Sequence, residues 1–220
     1  MSRDIRITPS ILNANHEHIH DEIARIATES DFIHLDIMDD IFVPNKTWDF
    51  DAAHEIIKKS SAPIDSHLMV SDADSAAPLY AEAGSRSVTF HVEAAKDIAT
   101  TIKNIQSFQA RAAIAFKPHT TISDYRKYID LADMVLIMTV EPGFGGQSFM
   151  ESMLPKIAEV RDYIGDRPIW LQVDGGISLA TIAQAASAGA DTFVAGSAVF
   201  NASDPADMIA KLRTAASSVA

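Results

Sequence analysis

Short runs of β-branched and aromatic residues alternate along this chain with longer stretches whose apolar positions recur every three to four residues. The short runs are 5–8 (IRIT), 32–38 (FIHLDIM), 64–69 (IDSHLM), 87–92 (SVTFHV), 112–116 (AAIAF), 134–138 (MVLIM), 169–174 (IWLQVD) and 192–196 (TFVAG). Each reads as a strand. Helical spacing marks 16–28, 51–60, 75–83, 97–107, 122–130, 153–164, 179–188 and 205–217. In AEAGS (81–85) and ASAGA (186–190) a glycine stands just past the last turn. Strand, loop and helix thus repeat eight times at about 25–30 residues per unit, the pattern of parallel strands joined by right-handed crossovers. The expected fold is α/β: one closed (β/α)₈ barrel of the TIM type occupying residues 1–220 as a single domain. A doubly wound open sheet is the alternative.

Alternate side chains of a strand share a face. Phe32, His34, Asp36 and Met38 therefore point one way, and Ile33, Leu35 and Ile37 the other. In a barrel the aliphatic face packs on the helices, so His34 and Asp36 turn inward. The same parity sends His67 and Met69 to one side of the third run and Trp170, Gln172 and Asp174 inward on the seventh. Met134, Leu136 and Met138 share a face of the sixth. His34, Asp36, His67 and Asp174 then converge at the C-terminal ends of the strands, where barrel enzymes place their chemistry. Two imidazoles and two carboxylates form a ligand set suited to one divalent ion of zinc, iron(II), manganese or cobalt. Taken singly, each has a blander explanation as a loop cap or a hydrogen-bonded core residue. Four on inward faces are harder to explain that way, because unpaired buried charge is costly. A structural metal is the alternative, though such sites usually close the ligand shell away from a pocket.

Composition narrows the picture. The chain has 220 residues, 47% hydrophobic and 22% charged, which suits one globular domain with a sizeable core. A net charge of -12 argues against nucleic acid or an anionic membrane surface as partner. Cysteine is absent, so any metal must take histidine and carboxylate ligands. MSRDIRITPS has no apolar signal core and no run approaches the length of a membrane span, so a soluble cytoplasmic protein is expected.

Glycines cluster after the last three strands, in EPGFGGQSF (141–149), DGGIS (174–178) and AGSAVF (195–200). Such loops let backbone N–H groups approach an anion closely, and the loops after barrel strands seven and eight are a frequent phosphate site. They point to a phosphorylated small molecule held by backbone dipoles rather than by a basic patch.

The motifs TPSIL (8–12), HLDIMDDIFVPN (34–45), DSHLMV (65–70), MTVEPGFGGQSF (138–149), VDGGI (173–177) and VAGSAVF (194–200), in this order, strongly resemble the ribulose-phosphate 3-epimerase family. The resemblance implies a metal-dependent epimerase of the pentose phosphate pathway that interconverts D-ribulose 5-phosphate and D-xylulose 5-phosphate, working as a homo-oligomer. It implies the divalent ion at His34, Asp36, His67 and Asp174, with His67 and Asp174 also meeting substrate. It also implies that Ser10 contacts the substrate and that Met38, Met69 and Met138 line the reacting carbon. It places phosphate at Gly143, Phe144, Gly145 and Gly146, at Gly175 and Gly176, and at Gly196 and Ser197. Asp36 and Asp174 are the expected proton carriers, because inverting a carbon α to a carbonyl needs an acid/base group on each face of a planar enediolate.

The chain departs from the family pattern in four places. Asp40 stands in MDD where glycine is usual, and Asp49 follows KTW where glycine is common. Asn13-Ala14-Asn15 follows SIL, and Ser66 precedes His67 where a more apolar residue is usual. The nearest rival activity is epimerisation of another ketose phosphate, such as D-allulose 6-phosphate. A decarboxylase or aldolase of the orotidine-phosphate decarboxylase type would need lysine at the place of Met38. A barrel that only binds phosphosugars would need a broken site. His91 and Glu93, at the end of the fourth run, are read as buttresses of the rim and not as ligands. His16, His18 and His20 alternate at i, i+2 and share no helical face, and His54 and His119 carry no functional signal.

Overall fold

The strands of a computed structural model, which describes residues 4–219, all run parallel. They are β1 (Arg6–Thr8), β2 (Ile33–Met38), β3 (Ile64–Met69), β4 (Ser87–His91), β5 (Arg111–Phe116), β6 (Met134–Met138), β7 (Trp170–Asp174) and β8 (Thr192–Val194). Hydrogen bonding follows the order β1-β8-β7-β6-β5-β4-β3-β2. Between β1 and β2 there is no regular ladder, and contacts between each strand and residues just outside the other close that seam. The Asp31 N–H donates to the Ile7 carbonyl at 3.1 Å, the His34 N–H donates to Pro9 at 2.9 Å, and Ser10 and His34 form a parallel bridge. The sequential order and the closed seam rule out the doubly wound sheet, which would reverse direction at β1.

The helices are α1 (Ile19–Ile26), α2 (Phe50–Lys59), α3 (Ala73–Glu82), α4 (Ile98–Ser107), α5 (Arg126–Ile129), α6 (Leu154–Ile164), α7 (Ile182–Ser187), α8 (Ser197–Phe200) and α9 (Pro205–Ser217). Aspartate opens several of them. Asp49, Asp72, Asp97 and Asp204 each accept a backbone N–H from the first turn of α2, α3, α4 and α9, a cap whose removal costs about 1 kcal/mol. Gly84 and Gly189 follow α3 and α7 with φ of 107° and 117°, the left-handed exit that the two AG motifs predict.

Four expectations differ in detail from the structure. The expected helix at 16–28 begins with a 3-10 turn, His16–His18, and the one at 122–130 contracts to the 3-10 turn Ser123–Tyr125 plus α5. The eighth strand stops at Val194 rather than at Gly196, although the Ser10 N–H still donates to the Ala195 carbonyl at 3.3 Å just past it. Phe32 lies just before β2 rather than within it, yet keeps to the inward row, packing edge-on against Trp170 with ring centres 5.9 Å apart.

The aliphatic strand face packs on the helices as parity predicts: Ile33, Leu35 and Ile37 join Ile64, Leu68, Leu171 and Val173 in the main core. Ser66 faces the same layer, where its hydroxyl meets that of Ser85 at 2.8 Å, so this polar departure is paired rather than stranded.

The N-terminal end of the barrel is laced by carboxylates placed just before a strand. Asp31, Asp133 and Asp191 reach back to the backbone N–H groups of Ile7, Ala112 and Leu171 at 2.8, 2.9 and 3.0 Å. Each has a further partner: Arg213 at 2.8 Å, Gln106 at 3.0 Å and Arg161 at 2.6 Å, respectively. Beside them Trp170 is held between the guanidinium groups of Arg6 and Arg111, 3.9 and 3.6 Å from its ring centre. Nothing in the single strands predicts that sandwich.

Candidate active site

β2, β3 and β7 bring His34, Asp36, His67 and Asp174 together at the C-terminal ends of the strands. One ligand atom from each can be chosen so that all four lie within 4.8 Å of one another. His34 Nε2 lies 3.4 Å from Asp36 Oδ1, 3.3 Å from His67 Nδ1 and 3.8 Å from Asp174 Oδ2. His67 Nδ1 lies 3.1 Å from Asp36 Oδ1 and 3.6 Å from Asp174 Oδ2. These spacings bracket the edge of about 3.4 Å expected of four N/O ligands each about 2.1 Å from one ion. The donor set and its spacing therefore fit a divalent metal. Among the described residues this is the His/Asp group so arranged.

The electrostatics separate the two aspartates. Burial works against charge on Asp36, but His34 and then His67 outweigh it and hold the carboxyl well below the usual range. Burial pushes Asp174 up to about 6, and the neighbouring negative Asp36 adds to the effect. Burial would lower His34, yet the carboxylates of Asp36 and Asp65 hold its affinity for a proton well above the ordinary value. A buried site with excess negative charge retains protons until a cation replaces them.

A pocket opens above this cluster. Ser10, Asp36, Met38, Met69, Met138 and Asp174 border it, as do Gly143, Phe144, Gly145, Gly146, Gly175, Gly176, Gly196 and Ser197. Every expected substrate-contacting residue thus lines it except His67, which with His34 is fully buried beneath the floor. Met38, Met69 and Met138 are each only 2% exposed and supply apolar walls. The Ser10 hydroxyl donates to Asp36 Oδ2 at 2.5 Å, fixing the carboxylate oxygen not turned toward the cluster. The glycine loops are required by sterics as well as by φ. At Gly176, with φ of 66°, a Cβ would stand 2.2 Å from the Phe149 backbone nitrogen.

The model of the "Ribulose-phosphate 3 epimerase family" matches residues 6–200. The chain belongs to this family. It is 44% identical to the ribulose-phosphate 3-epimerase of Mycobacterium leprae over 215 residues, covering 97% of this chain and 96% of that protein. It is 42% identical to ribulose-phosphate 3-epimerase 1 of Cupriavidus necator, covering 92% and 87%. Among solved structures, KGPDC from Streptococcus mutans superposes with a TM-score of 0.72 at 14% identity, covering 99% of both chains. The 3-hexulose-6-phosphate synthase of Salmonella typhimurium gives 0.68 at 18%, covering 98% and 100%. At those identities the structures speak for the barrel alone.

The structure places each departure from the epimerase family pattern. Asp40 occupies a left-handed position with φ of 60°, which is where the usual glycine costs least. Asp39, at the end of β2, accepts the N–H groups of Ile41 and Phe42 through one oxygen and that of Ser71 through the other, so its charge is spent on the loop. Asp49 caps α2. Asn13 lies between two phosphate-loop candidates, its Oδ1 being 2.7 and 2.6 Å from where a Cβ would stand on Gly145 and Gly196. The loop after β2 is tied to the loop after β6 by Asn45 Nδ2 donating to the Gly143 carbonyl at 2.8 Å.

Two residues beneath the pocket escaped the sequence reading or were underrated by it. Asp65 accepts from His34 Nδ1 at 2.9 Å and from Gln172 Nε2 at 2.9 Å. Its signal was available, since Asp65 alternates in step with His67. His91, read as a rim buttress, contacts His67 directly, Nε2 to Nε2 at 3.0 Å.

Proposed function

We propose that this chain interconverts D-ribulose 5-phosphate and D-xylulose 5-phosphate by moving the proton on carbon 3. The observation that carries the proposal is the pair Asp36 and Asp174. They reach one pocket from β2 and β7, with β8 and β1 between those strands on the shorter arc. They also differ in proton affinity, Asp36 held low and Asp174 pushed up to about 6. Two carboxyls whose environments drive their proton affinities apart are the usual arrangement for paired acid and base work. One removes the proton α to the carbonyl, and the other returns a proton to the opposite face. Ser10 orients Asp36, and the three methionines keep water from the enediolate with soft, adaptable packing.

Zinc, iron(II), manganese or cobalt(II) would be held by His34, Asp36, His67 and Asp174, an N₂O₂ set. Such an ion supplies a Lewis acid for the negative charge developing on the substrate oxygens. Backbone N–H groups around Gly143–Gly146, Gly175–Gly176 and Gly196–Ser197 take the phosphate, which suits a chain of net charge -12. The resemblance to the family extends this reading to a cytoplasmic homo-oligomer. No described helix is long and apolar enough to cross a membrane.

Turnover in deuterium oxide tests the chemistry. Product should carry one solvent deuteron at carbon 3. Product formed without label would rule out exchange through two carboxyls, and a higher kcat/KM on a ketohexose 6-phosphate would reassign the substrate.

A further inference from the structure

His67 turns Nδ1 toward the other three ligand atoms, 3.1 Å from Asp36 Oδ1 and 3.6 Å from Asp174 Oδ2. A nitrogen that binds a metal carries no proton, so a neutral His67 must carry its proton on Nε2. That atom is buried, and it faces Nε2 of His91 at 3.0 Å. His91 must then accept there and hold its own proton on Nδ1, which lies 3.2 Å from Glu93 Oε2. The other oxygen of Glu93 accepts the Lys117 N–H at 2.9 Å and the Thr120 hydroxyl. One arrangement of protons satisfies every link from the Lys117 backbone to the ligand nitrogen.

The other histidine has a shorter arrangement. His34 turns Nε2 toward the cluster and meets the Asp65 carboxylate directly through Nδ1 at 2.9 Å. A carboxylate set directly behind a ligand histidine fixes its tautomer and raises its basicity. On β3 the corresponding carboxylate stands one imidazole further away, and His91 relays it.

We propose that His91 and Glu93 are positioning residues for His67: they hold its ring in the Nε2-protonated tautomer, with Nδ1 free for the metal. The proposal rests on reading the His/Asp cluster as a metal site, and it extends that reading two residues outward to the loop after β4. Sterics alone would not choose between the two nitrogens of His67. The hydrogen-bond chain does, because flipping the proton to Nδ1 would set an unprotonated Nε2 against His91 and break the link to Glu93.

The test titrates cobalt(II) into the metal-free full-length chain against a competing chelator, following the visible cobalt spectrum. Two-bond proton–nitrogen NMR of the zinc-loaded protein reads the His67 tautomer. Glu93→Gln should weaken cobalt binding about 10- to 100-fold. His91→Phe should weaken it at least as much and abolish the single-tautomer signature of His67. His91→Gln, which restores an acceptor toward Nε2, should recover part of the loss. If His91→Phe does not fold, Glu93→Gln and His91→Gln carry the test. Glu93→Gln binding cobalt within twofold of the parent, with His67 still in one tautomer, overturns the proposal. A parent chain that binds no cobalt at the cluster overturns both this inference and the metal-site reading, whereas unaltered binding in the variants overturns this inference alone.

Discussion

The two ends of the barrel use the same residue for opposite purposes. At the N-terminal end, Asp31, Asp133 and Asp191 sit just ahead of strands, and each is met by a backbone N–H and by a guanidinium or amide. Asp191 also accepts the Thr192 hydroxyl at 2.8 Å. Their charge is consumed within the fold. At the C-terminal end, Asp36 and Asp174 stand beside two imidazoles and one hydroxyl, with no arginine or lysine of the described residues against either. A buried carboxylate whose partners are complete stabilises the fold, and one left short of cations stores affinity for a ligand or a proton. Position along the strand separates the two roles, since catalysis in this architecture collects at the C-terminal face and stability at the other.

That contrast breaks most visibly at Asp36. Asp36→Asn should leave the barrel folded by circular dichroism and lower turnover by about 10²–10⁴-fold. Near-parental turnover would remove Asp36 from proton transfer. At the opposite end, Asp191→Ala should leave kcat/KM at the parental level while lowering unfolding free energy by about 3 kcal/mol, because Arg161 and the Leu171 N–H lose a buried partner. Equal stability in urea unfolding would show that this carboxylate is dispensable to the fold.

A subtler test asks whether the C-terminal cluster costs stability when no cation fills it. In the metal-free folded chain Asp174 titrates at about 6, against about 3.9 for an unfolded chain. Between these values the folded state holds a proton that the unfolded state has released, so this residue's contribution to stability falls as pH rises through that window. Asp174→Asn removes the loss. It should stabilise the metal-free protein above pH 6 by about 1–3 kcal/mol, with parent and variant converging below pH 4. Parallel pH curves for the two proteins would show that Asp174 is not strained by its neighbours.

Much of this was legible in the chain. Alternation in FIHLDIM and IWLQVD turned His34, Asp36 and Asp174 inward, and the structure has them there. The glycine-rich loops after β6, β7 and β8 border the same pocket. What alternation cannot supply is the pairing between strands. His34 and Asp65 are register partners of β2 and β3, so their contact follows from which residue lies opposite which. His91 meets His67 across the next pair of strands, and the Arg6–Trp170–Arg111 sandwich joins β1, β5 and β7. Parity gives each strand its faces, while register, fixed by the whole barrel, decides who touches whom.

Ser10 has a place in the order of assembly. Its backbone bridges to His34 on one side of the seam and donates to Ala195 on the other, while its hydroxyl fixes Asp36. The first strand to leave the ribosome therefore waits for the last before this residue is seated. Every candidate metal ligand is already synthesised by residue 174. A nascent chain stopped there would own all four candidate ligands and still lack one of the two backbone contacts that seat Ser10. Barrel closure thus completes the seat of the residue that fixes Asp36, and a truncated product carries the four candidate ligands without that seat.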